Sequence, residues 1–424
     1  MSPTATPVTA GGQAVRERLP NGLTVIVREN AAAPVVALTL FVEVGARHET
    51  VETNGVTALL GRALLKGTRT RSALELAQLA EDAGGALESA TDQEYSELRA
   101  RGLARHWRTL VALVHDVATA PALAPDEVER ERQILLAQIR GLEDQPFQVT
   151  NRLLGRALYG AHPCGFPTAG EPASVGRLTR EALRDHFERF FSPERMILVV
   201  SGQVQAGEVV AEAARVFGGL PRRDVALSLA PPPERPVTPR VSEARPTQQA
   251  QLLVGYLAPP IGHPDHVALK LLNAILGGGM SGRLFRTLRD EEGLAYAVGS
   301  FYPTRREAAR LVIHIGTAPV NLPQAETGIA REVGRIREEP VPADELGRGK
   351  AFLTGALALD LRTNAHQGFY LGFFELMGVG HGYLARYPEA IDAVGSADIQ
   401  RVARRWLAES SVAVVGPAEA RARA

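Results

Sequence analysis

The chain has 424 residues, of which 45% are hydrophobic and 22% charged, a composition typical of a globular protein with a large core. Lys plus Arg and Asp plus Glu number 47 each, so the formal net charge is zero, which argues against nucleic acid or an anionic membrane as the main partner. The single cysteine, Cys164, excludes a disulfide within the chain. The absence of a long apolar run, at the start or elsewhere, predicts a cytoplasmic protein without a signal peptide or a membrane span.

Strands and helices are predicted throughout the first half of the chain, after a start, residues 1–15, that is expected to be disordered. The dipeptide Asn21-Gly22 favours a tight turn, so residues 19–27 are predicted to form a hairpin. Residues 35–45 predict a strand, and residues 196–202 predict a short buried strand. Apolar residues at helical spacing predict helices that begin near Val56, Ser72, Leu103 and Pro125.

A proline-rich segment, residues 218–240, is the predicted linker to a second half in which the same kinds of element recur. That half is predicted to contain a strand at 249–259, a helix from His266, a glycine cluster at 276–285 and a strand near 310–316. Residues 125–136 resemble 343–354, and residues 179–202 resemble 396–416, at nearly the same offset. We therefore predict a duplicated α+β fold, with homologous domains at residues 16–217 and 241–420.

Two features that could suggest ligand binding have a simpler structural interpretation. The glycine cluster has Arg283 where a phosphate-binding loop needs lysine, so a tight glycine turn between two helices is favoured. His263 and His266 are at helical spacing, but the residues between them predict a helix start with Asp265 as its N-cap. This favours a surface turn over a metal site.

The segments taken together resemble the pitrilysin/insulinase superfamily of zinc metallopeptidases, in the branch that includes the mitochondrial processing peptidase. The motifs that carry the resemblance span nearly the whole chain in the family's order: LPNGLTVIV (19–27), GARHE (45–49), GVTALLGRALLKGT (55–68), GGALESATDQEY (84–95), ERERQILLAQI (129–139), HPCGFPTAG (162–170) and GGGMSGRLFRTLRDEEGLAY (277–296). The resemblance implies two homologous α/β domains, each a mostly antiparallel sheet packed by helices. Joined by the linker, they would form half of a clamshell.

The helix of residues 55–68 corresponds to the one that carries the family's inverted zinc motif, His-x-x-Glu-His. Residues at i, i+3 and i+4 share a helix face, so two imidazoles can bind one zinc ion while the glutamate activates its water. The resemblance places the first histidine at Ala58, the glutamate at Gly61 and the second histidine at Arg62. The third zinc ligand, another glutamate, falls on Gln138. These replacements predict a pseudoenzyme that binds no catalytic zinc and is inactive alone.

One acidic residue of that site remains. Glu131 lies seven residues before Gln138, which is two helical turns, so the two side chains share a face. We expect Arg62 to pair with Glu131 and so replace the charge of the metal. Glu88 stands where the family usually has an asparagine, which is a further departure from the catalytic pattern.

Residues 282–302, considered alone, predict a charged helix end closed by Gly293 and followed by a strand. The resemblance gives two of these residues a role. In active relatives an arginine and a tyrosine of the C-terminal domain help to hold the substrate at the zinc site, and they correspond to Arg289 and Tyr296. In some two-gene bacterial systems, one subunit carries the zinc motif and the other carries this pair.

The resemblance therefore implies a non-catalytic, substrate-binding subunit of a heterodimeric metallo-endopeptidase. A homologous partner would supply the zinc, and the two chains would enclose a chamber for peptides. An alternative is an inactive structural or binding protein like the core subunits of the respiratory bc complex, and a third possibility is independent proteolysis with another metal. The sequence indicates neither the peptide substrate nor whether a homodimer forms instead.

Overall fold

The structure is a computed structural model that describes residues 14–223, 225 and 229–418. The strands are β1 Val15–Arg18, β2 Thr24–Glu29, β3 Val35–Val42, β4 Ala86–Thr91, β5 Ser96–Leu103, β6 Met196–Gly202, β7 Arg240–Ala244, β8 Ala250–Ala258, β9 Ala295–Phe301, β10 Ala309–Thr317 and β11 Ser410–Gly416. The helices are α1 Val56–Leu64, α2 Ala73–Asp82, α3 Trp107–Thr119, α4 Pro125–Glu143, α5 Pro146–Tyr159, α6 Pro172–Val175, α7 Arg180–Phe190, α8 Ala206–Phe217, α9 His266–Gly277, α10 Leu322–Glu338, α11 Ala343–Asp360, α12 Asn364–Leu376, α13 Tyr383–Asp392 and α14 Ser396–Trp406. Of the segment 1–15 that was predicted to be disordered, residues 1–13 lie outside the described part, and Val15 begins β1.

The first of two compact units comprises the described residues within Met1–Ala137, Pro167–Leu229 and Leu357–Arg386. Its sheet has the order β1-β2-β6-β3-β5-β4, in which β2 and β6 are parallel and the other neighbouring pairs are antiparallel. The predicted hairpin is confirmed, because β1 pairs with β2 and Gly22, at φ +95°, occupies the turn. Helix α12 packs on β3 and β6, where Gly372 lies so near Phe41 that a Cβ there would overlap its ring.

The second compact unit comprises the described residues within Gln138–Phe166, Ala230–Ala356 and Tyr387–Ala424. Its sheet has the order β7-β11-β8-β10-β9, in which β7 and β11 are parallel and the other neighbours are antiparallel. Helix α5 packs on β8 and β11, and helices α9, α10 and α14 enclose an apolar core with the sheet. Leu154 and Leu158 of α5 contact the strand at Gly255, where a larger residue would collide with them.

The two sheets repeat one topology. The order β2-β6-β3-β5-β4 of the first sheet recurs as β7-β11-β8-β10-β9, with the single parallel pair at the same place in both. This confirms the predicted α+β fold of mostly antiparallel sheets packed by helices. The compact units are not continuous in the chain, since α5 belongs to the second and α12 to the first. The boundaries 16–217, 218–240 and 241–420, which concern the repeat in the sequence, stay a prediction.

Three details differ from the sequence-based expectations. The helix predicted from Leu103 begins at Trp107, because residues up to Leu103 extend β5 and pair with β3. Asp265 does occupy the N-cap position of α9, but its carboxylate accepts from Trp406 instead of capping the helix. His266 is buried and lies 2.9 Å from the hydroxyl of Tyr302, so it is not in a surface turn.

In the described part of the chain, no helix is long and apolar enough to cross a membrane.

Candidate functional site

A buried carboxylate fixes the start of helix α1. Glu49 Oε2 accepts hydrogen bonds from Asn54 Nδ2 and the Gly55 backbone N–H at 2.8 Å, and Oε1 accepts from the Thr57 backbone N–H at 2.8 Å. A negative group at this position is favoured by the helix dipole and satisfies N–H groups that have no partner within the helix. Burial nevertheless raises the pKa of Glu49, because desolvation outweighs these hydrogen bonds. Glu49 therefore satisfies the backbone N–H groups of Gly55 and Thr57 at the start of α1.

Ala58, Gly61 and Arg62 share one face of α1 but differ in burial. Ala58 and Arg62, one turn apart, are half-buried, whereas Gly61 is fully packed against β4. The Ser89 hydroxyl donates to the Gly61 carbonyl at 2.6 Å, and a Cβ on Gly61 would lie 3.0 Å from Thr91 Oγ1. The glycine thus allows β4 to approach the helix closely. A side chain at this position would require Thr91 to shift by a few tenths of an ångström.

The ion pair expected between Arg62 and Glu131 is present. Arg62 Nε lies 2.7 Å from Glu131 Oε2, and Lys66 Nζ lies 2.9 Å from Glu131 Oε1. Glu131 is buried, with 3% of its side chain exposed, while Arg62 and Lys66 are 28% and 36% exposed. Two cationic side chains therefore surround one buried carboxylate. Lys66 was not predicted as a partner, although its position four residues after Arg62, just beyond the end of α1, was a usable signal.

Gln138 lies two turns beyond Glu131 on α4 and is exposed. Zinc in proteins is held by thiolate, imidazole and carboxylate groups, and neither alanine, glycine nor arginine supplies one. Within residues 14–223, 225 and 229–418, no group of three or more His, Cys, Asp or Glu side chains is arranged to hold a metal ion. The residues at the four motif positions do not fit a catalytic zinc ion.

Arg289 and Tyr296, which the resemblance singled out, are brought together in the second unit. Arg289 belongs to a π-type helical segment, Phe285–Glu291, and its guanidinium carbon lies 4.8 Å from the Tyr296 ring centroid. The same carbon lies 4.4 Å from the centroid of Phe285, so the guanidinium is stacked against both rings. The turn between the segment and β9 uses Gly293 at φ +63°, as the sequence predicted.

The stack presents its polar groups to solvent. Tyr296 is 81% exposed, and among the described residues its hydroxyl has no hydrogen-bond partner. Phe285 was not predicted as part of this arrangement, although its spacing of four residues from Arg289 was a signal for a shared helix face. A guanidinium stacked on two rings and an exposed phenol can donate hydrogen bonds to the carbonyl groups of a peptide.

Comparison with known proteins identifies relatives over nearly the whole chain. A family model described as insulinase (peptidase family M16) matches residues 24–171, and one described as the peptidase M16 inactive domain matches residues 177–353. An uncharacterized zinc protease of Mycobacterium tuberculosis is 30% identical over 415 residues, which cover 95% of this chain and 93% of the relative. An uncharacterized zinc protease of Bacillus subtilis is 27% identical over 398 residues, which cover 94% and 97%.

Solved structures show the same fold. A protease from Helicobacter pylori superposes with a TM-score of 0.89 and 18% identity, covering 96% of this chain and 100% of that one. An M16 inactive domain from Pseudomonas fluorescens superposes with a TM-score of 0.89 and 20% identity, covering 95% and 98%. At these identities the likeness concerns the fold of the chain and not its chemistry.

Proposed function

The chain belongs to the M16 peptidase family, and from this premise we propose that it is a non-catalytic subunit of a heterodimeric zinc metallopeptidase. In this proposal a homologous partner supplies the zinc, its water and the general base. This chain supplies part of the substrate chamber, with Arg289 and Tyr296 as its peptide-binding residues. The observation that carries the proposal is the stacking of the half-buried Arg289 on the exposed ring of Tyr296 in a chain whose motif positions do not fit zinc.

The ion pair between Arg62 and Glu131 supports the proposal that this region serves the fold of the chain and not catalysis. In the region where zinc-bearing relatives would hold the metal ion, Arg62 and Lys66 place two positive charges around Glu131. A buried carboxylate without a cation would be strongly destabilising, so these pairs permit Glu131 to stay buried. The region can therefore hold its shape without any metal ion.

The edge of the first sheet supports a role in binding extended peptides. Strand β4 ends the sheet and pairs only with β5 in the described structure, so its other side has unpaired backbone groups. A peptide in extended conformation can add to such an edge through backbone hydrogen bonds. Because Ser89 and Thr91 of β4 contact or approach Gly61, that edge lies beside the position where relatives place the catalytic glutamate.

The decisive experiment mixes the purified chain with a homologue that has His-x-x-Glu-His, and measures zinc-dependent cleavage of fluorogenic peptides. We expect each chain alone to be inactive and the mixture to be active. The double variant Arg289→Ala plus Tyr296→Phe should lower kcat/KM of the mixture roughly 10- to 100-fold, as the loss of two substrate hydrogen bonds would. A mixture that keeps full activity with this variant would contradict the role of the pair.

A matched control is Arg286→Ala. Arg286 is on the same helical segment, its side chain is 53% exposed, and its ion-pair partner is Glu291 at 3.7 Å. We expect this variant to leave the activity of the mixture unchanged. If the wild-type chains bind each other but the mixture cleaves no peptide, the alternative of a structural or binding homologue is favoured instead.

A further inference from the structure

A cavity of about 290 Å³ lies within the first unit, between the face of the sheet and α12. Its floor is formed by β3, β5 and β4, and its opposite wall by α12 and the last residue of α11. Ligand pockets for drug-sized molecules enclose about 300–1,000 Å³, so this cavity lies at the lower end of that range and has room for a long side chain. It is separate from Gly61 and Arg62, because Ser89 and Thr91 turn to α1 whereas Glu88 lines the cavity.

The arginines of the cavity already have carboxylate partners. Arg101 Nη2 lies 3.1 Å from Glu88 Oε1, and Arg99 pairs with Glu97. The guanidinium of Arg99 also lies 6.0 Å from the ring centroid of Phe369, at the outer limit of a cation–π contact. These pairs leave little net charge on the β4 and β5 side of the cavity.

Asp360 is the carboxylate that lacks a permanent cation. Its Oδ2 accepts a hydrogen bond from the Tyr370 hydroxyl, and its Oδ1 lies 3.4 Å from His366 Nδ1, which is charged only when protonated. No lysine or arginine within the described residues pairs with it. Its side chain is 47% exposed, and burial together with the hydrogen bond to this carboxylate raises the pKa of Tyr370. The cavity thus offers one accessible negative charge beside aromatic rings.

The cavity adjoins the unpaired edge of β4. Successive side chains of a strand point to opposite faces, and residues opposite each other on paired strands lie about 4.5–5.5 Å apart. A peptide added to the edge of β4 would therefore place every second side chain on the cavity side, next to Glu88. Glu88 is also the position at which this chain departs from the asparagine expected from the family resemblance.

We propose that the cavity receives a lysine or arginine side chain of a peptide paired with β4, with Asp360 as the counter-ion. The rings of Phe369 and Tyr370 contact the aliphatic part or the cation of that side chain. The inference rests on the proposed function, which supplies a peptide as the ligand. Asp360 would add a preference for basic peptide residues, which the ion pairs Arg99–Glu97 and Arg101–Glu88 would not give by themselves.

The test uses the chain without any partner and a series of fluorescent peptides that differ at one position, carrying Lys, Arg, Gln or Glu. Fluorescence anisotropy at low salt should show the Lys and Arg peptides binding about 5- to 10-fold more tightly than the Gln peptide. In Asp360→Asn this preference should disappear while the affinity of the Gln peptide stays unchanged. Asp344→Asn, an exposed aspartate on the surface of α11 that pairs with Arg348, is the matched control and should keep the preference.

Three results would overturn the proposal: equal affinity of the Lys and Gln peptides, a preference that survives in Asp360→Asn, or no binding by the chain alone at millimolar peptide. Location is checked by carbodiimide coupling of the Lys peptide, which should join its amine to Asp360, as identified by mass spectrometry. Coupling only outside the cavity would also contradict it. Failure of the mixed-subunit assay leaves these measurements unaffected, so the two proposals fail separately.

Discussion

The ion pair between Arg62 and Glu131 gives the sharpest quantitative prediction. Removing one partner of a buried pair costs about 3–5 kcal/mol when the remaining charge is fully buried. Here Glu131 is buried, but Arg62 is 28% exposed and Lys66 still contacts the same carboxylate. We therefore expect Arg62→Met to lower the free energy of unfolding by about 1–2 kcal/mol. Glu131→Gln, which leaves two cations facing an amide, should cost about 2–3 kcal/mol.

A double-mutant cycle isolates the interaction itself. Once Glu131 is neutral, replacing Arg62 removes no attraction, so the double variant should be about as stable as Glu131→Gln alone. This corresponds to a coupling energy of about 1–2 kcal/mol. Urea unfolding followed by circular dichroism and by tryptophan fluorescence supplies the free energies, provided that the two probes give coincident transitions.

The surface pair Arg108–Glu208 is the matched control, because its atoms are also 2.7 Å apart in the first unit while both side chains are about half exposed. Exposed pairs contribute about 0–1 kcal/mol, so its coupling should be well below that of Arg62 and Glu131. A coupling for Arg62 and Glu131 under about 0.5 kcal/mol, equal to that of the surface pair, would refute the idea that these charges replace a metal ion in the structure.

Three further predictions concern the same helix. His186 lies 2.9 Å from the Thr57 hydroxyl, and burial lowers its pKa to about 3. Because the unfolded chain then binds more protons below about pH 6.5, the stability of the chain falls as the pH drops from there towards 3. His186→Asn should therefore shift the midpoint of acid unfolding to lower pH. Burial raises the pKa of Glu49 in the folded state, so its contribution to stability decreases as the pH rises above about 4.3 towards the folded-state pKa. In urea unfolding at several pH values, Glu49→Gln should remove this decrease. A variant with an unchanged dependence of stability on pH would contradict this prediction. Gly61→Ala should stabilise the chain by about 1 kcal/mol in a Thr91→Ala background. In the wild type the gain should be smaller, because the new Cβ contacts Thr91 Oγ1. Equal effects in both backgrounds would show that the contact between residue 61 and Thr91 does not affect stability.

Local features of the fold could be predicted from the sequence because short segments determine them. The β1–β2 hairpin follows from Asn21-Gly22, and the turn before β9 follows from Gly293. Gly22 and Gly293 both have positive φ, a backbone conformation that few other residues allow. The α+β class followed from the internal repeat. By contrast, no periodicity indicates that α12 packs on the first sheet or α5 on the second, because those contacts join segments far apart in the chain.

The site shows the same division. The correspondence of Ala58, Gly61 and Arg62 to a zinc motif stays a prediction from one helix, whereas the pairing of Arg62 with Glu131, predicted from helical spacing and the family resemblance, is present. The stacking of Arg289 on Phe285 and the contact of Lys66 with Glu131 involve neighbours at helical spacing, so both could have been predicted from the sequence. The cavity at Asp360 could not have been predicted, because it combines residues of β4 and β5 with residues about 260 positions later in the chain. The sequence carries no local signal for that proximity.

The contacts of α1 are consistent with one another in physical terms under the proposed function. Glu131 without a cation would be an uncompensated buried carboxylate, and Arg62 together with Lys66 prevents this. The absence of a side chain at Gly61 lets Thr91 and Ser89 of β4 pack close to the helix. In the proposed function both positions lack a group needed for hydrolysis, while the ion pairs and the packing hold α1 against α4 and β4 without a metal ion.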